Sequence, residues 1–229
     1  MSVTPSSPLR DRGPRAADSV LDHIVAGTQL VVPLANGEPV TVMAALDHHA
    51  ARLRDVVVHQ MHALHDHPYL HGVHHGHLDH RSYFLSPVTR PAFHRGTVDL
   101  VPCHFSEVPL LLGRLRGPTL ALASVSPPDA HGYFTLGTNA DYMASFIGRV
   151  PFFVEVNARM PRTQGRNELH VSHVVGWTET DYALIEPTLA NFVQEGKKVV
   201  SCVPPGGKAC ALPHPEIDHL QAIAAGTRC

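Results

Sequence analysis

Short apolar runs, separated by segments rich in Gly, Pro and polar residues, dominate the hydrophobic pattern of this chain. Apolar runs of about four to eight residues are typical of strands that are buried on both faces of a parallel sheet. We therefore predict strands at residues 28–33, 56–58, 98–101, 119–125 and 150–156, with further candidates at 81–85, 170–176 and 198–202.

Segments with a helical spacing of apolar residues lie between these runs. Residues 40–53 place Val42, Ala45, Leu46 and His49 on one face, which predicts an amphipathic helix. Because strands alternate with helices, we predict the α/β class, with an open, mostly parallel sheet flanked by helices. The shorter helices are predicted within residues 86–96, 106–115, 141–147 and 189–195.

A polar loop follows the strand candidate at residues 119–125. Its prolines cannot donate a ladder hydrogen bond, so they end the strand, and the residues after them have turn chemistry. In open α/β sheets, ligands bind in the crevice beyond the carboxyl ends of the strands. The candidate binding residues here are Ser126, Asp129, His131 and Asn139, although a plain connecting loop would show the same pattern.

A second polar loop follows the strand candidate at residues 150–156 and carries Asn157, Arg159 and Arg162. Guanidinium groups bind carboxylates and phosphates in bidentate fashion, so both arginines are candidates for an anionic ligand. A surface arginine paired with an acidic neighbour is the alternative for each. The loop at residues 37–39 raises a similar choice, between presenting backbone N–H groups to an anion and simply capping a helix.

Histidines are concentrated in one segment, where residues 59–80 hold nine of the chain's 19. Imidazole binds zinc, copper and nickel, and His71, His74, His75 and His77 are close enough in sequence to share an ion. No H-E-x-x-H spacing is present, however, and no cysteine lies nearby. We interpret the segment as a surface loop of biased composition and predict no metal site.

Composition describes an ordinary globular chain of 229 residues, with 44% hydrophobic residues and a net charge of −2. This charge gives no electrostatic reason to expect nucleic acid or an anionic membrane as a partner. No apolar run approaches the ~20 residues of a membrane helix, and four cysteines without a C-x-x-C pair suit the reducing cytoplasm. We predict a disordered tail at 1–17, one domain at 18–203 with a His-rich loop at about 62–80, and an irregular tail at 204–229.

Four ordered motifs carry a family resemblance. VSPPDAHGYFTLG at residues 125–137 closely resembles a motif of the acetyl-CoA hydrolase/transferase family, which includes acetate, succinate and 4-hydroxybutyrate CoA-transferases. GEP at 37–39, DLVPCHFSEVP at 99–109 and VEVNARMPRTQG at 154–165 resemble the same family in the same order. Family members are about twice as long and consist of two similar α/β halves, so the chain resembles the N-terminal half only.

The resemblance implies a CoA-transferase that moves CoA between an acyl-CoA and a small carboxylic acid. In the family, a Glu of the second half attacks the thioester, so we name no nucleophile in this chain and expect a partner that supplies the C-terminal half. The CoA thioester is then a substrate, and no permanently bound cofactor is expected. The implied substrate-binding residues are Ser126, Asp129, His131, Asn139, Asn157 and Arg162.

Two alternatives stay open at this point. In a thioester hydrolase, water would replace the acceptor acid, and the sequence does not show how well water is excluded. A non-catalytic truncated protein, or a His-rich metal-binding module built on the same domain, belongs to another class. The transferase interpretation predicts a cytoplasmic heteromeric enzyme that is inactive alone.

Overall fold

The computed structural model describes residues 13–185 and, further along the chain, the backbone of two strands, Val199–Cys202 and Cys210–Pro213. The chain divides into two units, Met1–Leu184 and Ile185–Cys229, and the two late strands pair antiparallel within the second unit. The predicted helix at 189–195 lies outside the described residues, as does most of the predicted tails at 1–17 and 204–229.

Seven strands of the first unit form one sheet in which every described pairing is parallel. They are β1 Gln29–Val32, β2 Val56–Gln60, β3 Leu78–Ser82, β4 Asp99–Leu100, β5 Thr119–Val125, β7 Phe152–Asn157 and β9 Val174–Thr180. Their order across the sheet is β4-β3-β2-β1-β5-β7-β9. The predicted open α/β sheet is thereby confirmed.

The central strands β1, β2, β5 and β7 are buried on both faces because they are apolar at most positions, whereas β3, β4 and β9 carry more polar residues and are less buried. In β1, Leu30 and Val32 belong to one core cluster and Val31 to the other, as expected when successive side chains point to opposite faces. Helices α1 (Val40–His48) and α2 (Thr89–His94) contribute to the first cluster, whereas α3 (Val108–Leu112) and the short 3-10 helix Tyr142–Phe146 contribute to the second.

Helix α1 is shorter than the predicted segment 40–53: it ends at His48, and a 3-10 turn, Ala50–Arg52, follows. Strand β3 begins earlier than the predicted 81–85, inside the His-rich segment, because its alternate residues Leu78, His80 and Ser82 are all buried. Further 3-10 helices span Ala17–His23, Ala35–Gly37, Pro68–His71, Phe105–Glu107 and Val171–His173.

A small second sheet was not predicted. Strands β6 (Tyr133–Thr135) and β8 (Glu168–His170) pair antiparallel and join the loop after β5 to the loop after β7. The turn Val171–His173 then separates β8 from β9, where the sequence predicted a single strand at 170–176. This small sheet positions the candidate site.

Candidate functional site at the carboxyl ends of the strands

The centre of the sheet is a topological switch point. Strand β1 lies between β2 and β5; the chain first builds β2, β3 and β4 on one side and then β5, β7 and β9 on the other. Connections leave the carboxyl ends of β1 and β5 in different directions, which opens a crevice between them. The two polar loops predicted from the sequence begin at this edge of the sheet, at Ser126 and Ala158.

The motif loop (residues 126–141) and the second loop (residues 158–167) interlock. The Thr163 hydroxyl donates to the Gly137 carbonyl over 2.9 Å, and the Leu136 N–H donates to the Asn167 carbonyl over 3.1 Å. Gly137 has φ +59°, and a Cβ there would lie 2.3 Å from the Met160 sulfur. Only glycine fits so close an approach with this backbone, so the two loops form one surface.

Arg162 and Asp129 hold this surface together. Arg162 donates from Nη1 to the Tyr133 carbonyl (2.8 Å) and from Nη2 to Asp129 Oδ2 (3.0 Å). The other oxygen of Asp129 accepts from the backbone N–H groups of His131 and Tyr133, each over 2.9 Å. The hydrogen bond from Tyr133 is the main reason that the pKa of Asp129 lies below its usual range. Both side chains are thus engaged within the protein.

Ser126 and Asn157 are fully buried. The Ser126 hydroxyl oxygen accepts from the backbone N–H and the hydroxyl of Thr135, each over 3.0 Å. The Asn157 amide donates to the Tyr182 carbonyl (3.0 Å), and its oxygen accepts from the Arg159 N–H (3.0 Å). These two predicted residues fix the starting points of the two loops.

The structure separates the remaining predicted residues. His131 is exposed at the tip of the motif loop, away from the residues that line the central cleft described next. Asn139 is nearly buried, accepts from the Thr138 hydroxyl over 2.8 Å, and lines that cleft. Arg159 donates to Asp181 over 2.6 Å at the surface.

The central cleft has a volume of about 410 Å³ and lies between the two loops and the end of β1. Both loops contribute to it, together with Leu34 and the exposed ring of Phe105. Its residues are Leu34, Phe105, Gly137, Thr138, Asn139, Ala140, Asp141, Thr163, Gln164 and Asn167.

Asp141 is the functional candidate that the sequence did not single out, because there it looked like an ordinary helix cap. Its Oδ1 does cap the 3-10 helix through the Met143 N–H (2.8 Å), but its Oδ2 also accepts from the Leu34 N–H (3.0 Å). Burial raises the pKa of Asp141 to about 6, despite these two backbone hydrogen bonds. A carboxyl group that titrates near neutral pH therefore lines the cleft.

Tyr142 connects this segment to β1 and β2 by hydrogen bonds. Its hydroxyl donates to the Val32 carbonyl at the end of β1 and accepts from the Met61 N–H, just after β2, over 3.2 Å. Its ring is buried beside Phe105, with the ring centroids 6.5 Å apart. The motif loop therefore begins at β5, and the residue that follows it is fixed to the ends of β1 and β2, across the switch point.

A buried carboxylate, surrounded by two histidines and an amide, lies on the β1–β2 side of the crevice. Glu38, of the GEP motif, accepts from the Gln60 amide over 2.8 Å, and its Oε1 lies 2.7 Å from His67 Nε2 and 3.3 Å from His65 Nδ1. Burial would raise the pKa of Glu38, but the hydrogen bonds from His65, His67 and Gln60 and the charge of His67 lower it to about 2. Part of the His-rich segment is thus built into the domain around Glu38.

The N-terminus of α1 meets a carboxylate of the protein itself. Glu155 of β7 accepts from the Val42 N–H over 3.0 Å and from the Tyr182 hydroxyl over 2.5 Å. Burial raises the pKa of Glu155, while these hydrogen bonds act in the opposite direction. The loop at residues 37–39 itself supplies no side-chain cap to α1; the carboxylate at the helix N-terminus comes instead from the distant strand β7.

Two features are absent from residues 13–185 and the two late strands. This part of the chain contains no group of three or more His, Cys, Asp or Glu residues arranged to hold a metal ion. It also contains no helix of the length and apolarity that crossing a membrane requires.

Comparison with known proteins agrees with the architecture. The chain is 34% identical over 167 residues to a succinyl-CoA:cyclohexane-1-carboxylate CoA transferase of Geobacter metallireducens. This alignment covers 72% of this chain and 38% of that protein. The chain is also 32% identical over 172 residues to a 4-hydroxybutyrate coenzyme A transferase of Clostridium kluyveri (74% and 40% covered). RipA from Yersinia pestis superposes with a TM-score of 0.69 at 27% identity, over 79% of this chain and 44% of RipA.

These similarities define an α/β domain of the CoA-transferase type. Residues 14–204 match the acetyl-CoA hydrolase/transferase N-terminal domain, and the chain therefore belongs to that family. The resemblance seen in the sequence motifs is thereby confirmed. The chain spans about two fifths of the length of these two curated relatives, within their N-terminal part.

Proposed function

We propose that this chain is the N-terminal half of an acyl-CoA:carboxylate CoA-transferase. It transfers CoA between an acyl-CoA and a small carboxylic acid, together with a C-terminal-half partner that supplies the attacking glutamate. In this arrangement the central cleft is one wall of the active site, and the CoA thioester is a substrate. We place the complex in the cytoplasm and treat residues 18–203 as its CoA-transferase domain.

The observation that carries the proposal is the joint surface of the two loops at the switch point. Ligands of open α/β sheets bind there, and both family motifs that form the loops contribute to a single cleft. The two curated relatives are both named as CoA transferases, which favours transfer over hydrolysis as the outcome.

The predicted residues divide into three roles under this proposal. Asn139 lies at the acyl group, because its side chain lines the cleft. Ser126, Asp129, Asn157 and Arg162 keep the loops in place through the hydrogen bonds described above. His131 is exposed and does not line the central cleft, so it remains available to the partner half.

The glutamates of the cleft region support a nucleophile from the partner. Glu38 and Glu155 are buried and bonded inside the domain, and neither lines the central cleft. A carboxylate that attacks a thioester must reach the substrate, which these two do not.

Copurification with an assay tests the proposal. The chain is isolated from its native host with whatever accompanies it, and CoA exchange from acetyl-CoA to butyrate is measured for the isolated chain and for the complex. We expect exchange by the complex and none by the chain alone. Exchange by the chain alone would contradict the proposal, and release of free CoA without any dependence on acid would identify a hydrolase instead.

A further inference from the structure

The charge of the central cleft is unbalanced. Among the described residues that line it, Asp141 is the only titratable one; the others are apolar or carry uncharged polar groups. No Lys, Arg or His side chain of the described residues contributes to its lining. When ionised, Asp141 gives the lining a negative charge that no other described lining residue balances.

The arginines of the second loop do not compensate for Asp141. Arg162 is bonded to Asp129 and to the Tyr133 carbonyl, and Arg159 is bonded to Asp181. Arg166 is exposed and lies outside the lining of the cleft. The carboxylate of Asp141 is oriented by the N–H groups of Leu34 and Met143 and by its own backbone N–H, none of which carries a formal charge. The buried phenol of Tyr142 also interacts with it, and its raised pKa keeps that phenol neutral.

A group that enters this cleft meets uncharged hydrogen-bonding partners and one carboxylate. An apolar or hydroxylated chain is accommodated, since Phe105 and Leu34 offer apolar surface and Asn139 and Gln164 offer amides. A second carboxylate would be desolvated next to a like charge, which is unfavourable at short range in a partly buried site.

We propose that the central cleft holds the acyl tail of the substrate and that Asp141 excludes tails that end in a carboxylate. The enzyme would then take acyl groups of monocarboxylic acids, with alkyl or hydroxyalkyl tails, in preference to those of dicarboxylic acids. This inference rests on the proposed function for the identity of the ligand, but its test does not require turnover.

Two neutral-headed probes distinguish the tails, namely the N-acetylcysteamine thioesters of butyrate and succinate. Their affinity for the full chain is measured by ligand-observed NMR titration at pH 8. We expect the butyryl thioester to bind at least about tenfold more tightly than the succinyl thioester, because only the latter has a charged tail. Equal affinity, or no binding of the butyryl probe, would overturn the proposal.

The pH dependence identifies the carboxylate responsible. At pH 5.5, Asp141, with its pKa of about 6, is mostly neutral, whereas an ordinary carboxyl such as that of the succinyl tail is still mostly ionised. The discrimination against the succinyl probe should therefore narrow severalfold between pH 8 and pH 5.5. A preference that is unchanged or that grows over this range would rule out Asp141 as its source.

Two variants complete the test. Asp141→Asn removes the charge and should raise the ratio of succinyl to butyryl affinity by about tenfold at pH 8, although it also alters the bond to Leu34. Gln164→Lys leaves the bonds of Asp141 in place, adds a cation to the exposed rim, and should raise the same ratio. If a folded chain of either type kept the wild-type ratio, the proposal would be wrong. Absence of CoA transfer by the native complex would instead count against the proposed function.

Discussion

The cluster around Glu38 allows a quantitative prediction of stability. Glu38 is 1% exposed and its pKa is lowered from 4.5 to about 2, so the folded state favours the ionised form. At ~1.4 kcal/mol per pKa unit, this preference is worth about 3 kcal/mol. Glu38→Gln keeps the shape of the side chain and removes the charge that His65, His67 and the Gln60 amide surround.

We expect Glu38→Gln to lower the free energy of unfolding by about 3 kcal/mol at pH 7, which corresponds to roughly 6–12 °C in Tm for a domain of this size. Urea unfolding, followed by circular dichroism, measures the difference. Glu179→Gln is the matched control, since Glu179 is exposed and its replacement should cost less than about 0.5 kcal/mol.

The sign of the pH dependence provides a second check. Because the folded pKa of Glu38 is depressed, its contribution is complete above pH 4.5 and is lost as the pH falls from 4.5 towards 2. The difference in stability between wild type and Glu38→Gln should therefore grow as the pH falls from 7 to 5, because protonated His65 pairs with Glu38 only in wild type, and should shrink below pH 4.5 as Glu38 itself protonates. The pKa of His65, which is raised by its hydrogen bond to Glu38, should fall in the variant when followed by NMR. A variant as stable as Glu179→Gln would refute the assigned role of Glu38.

Three further substitutions test other parts of the structure by urea unfolding. Gly137→Ala should lower the free energy of unfolding by about 2–4 kcal/mol, because the new Cβ would lie 2.3 Å from the Met160 sulfur and a φ of +59° disfavours a side chain. A loss below about 1 kcal/mol would contradict the interlocking of the two loops. Arg162→Gln should lower the free energy of unfolding by about 1–2 kcal/mol. Arg159→Gln should lower it by less than about 1 kcal/mol, because Arg159 forms only an exposed ion pair with Asp181. A larger loss for Arg159→Gln than for Arg162→Gln would be inconsistent with the contacts of Arg162. Burial lowers the pKa of His80 to about 3, so between pH 6.5 and pH 5 this histidine takes up a proton only when the protein unfolds. Over this range the free energy of unfolding of wild type should therefore fall by about 2 kcal/mol relative to that of His80→Leu. Equal pH dependence of the two proteins would show that His80 does not take up a proton on unfolding.

The central strands were largely predictable from the sequence because they are buried on both faces and apolar at most positions. Residues 119–125 and 150–156 are apolar runs too short for most helices, and they became β5 and β7 with small shifts at the ends. The order of the strands was not predictable in this way. Nothing in the apolar pattern of β1 indicates that β2 and β5 pair with its two edges.

The partners of the site residues depend on contacts between distant segments. Arg162 and Asp129 were both identified as polar candidates, but their pairing follows from the antiparallel strands β6 and β8, which are only three residues long each. Such short strands have no recognisable period. For the same reason the sequence left open whether Arg162 binds an anionic ligand or pairs with an acidic neighbour, and the structure shows the pair with Asp129.

The His-rich segment shows a further limit of composition. Its high histidine content suggested a surface loop, yet His67 and His80 are almost fully buried. His67 is buried because it bonds Glu38, a residue 29 positions earlier in the chain. A composition count does not distinguish such a histidine from His75, which is exposed.

The proposed division of labour between this chain and a C-terminal-half partner can be tested by locating the covalent intermediate. The native complex is incubated with acetyl-CoA in the absence of an acceptor acid, digested, and analysed by mass spectrometry for glutamate linked to CoA as a thioester. The account predicts a CoA-modified glutamate in a C-terminal-type half and none in this chain. Modification of Glu38, Glu155 or any other glutamate of this chain would contradict it.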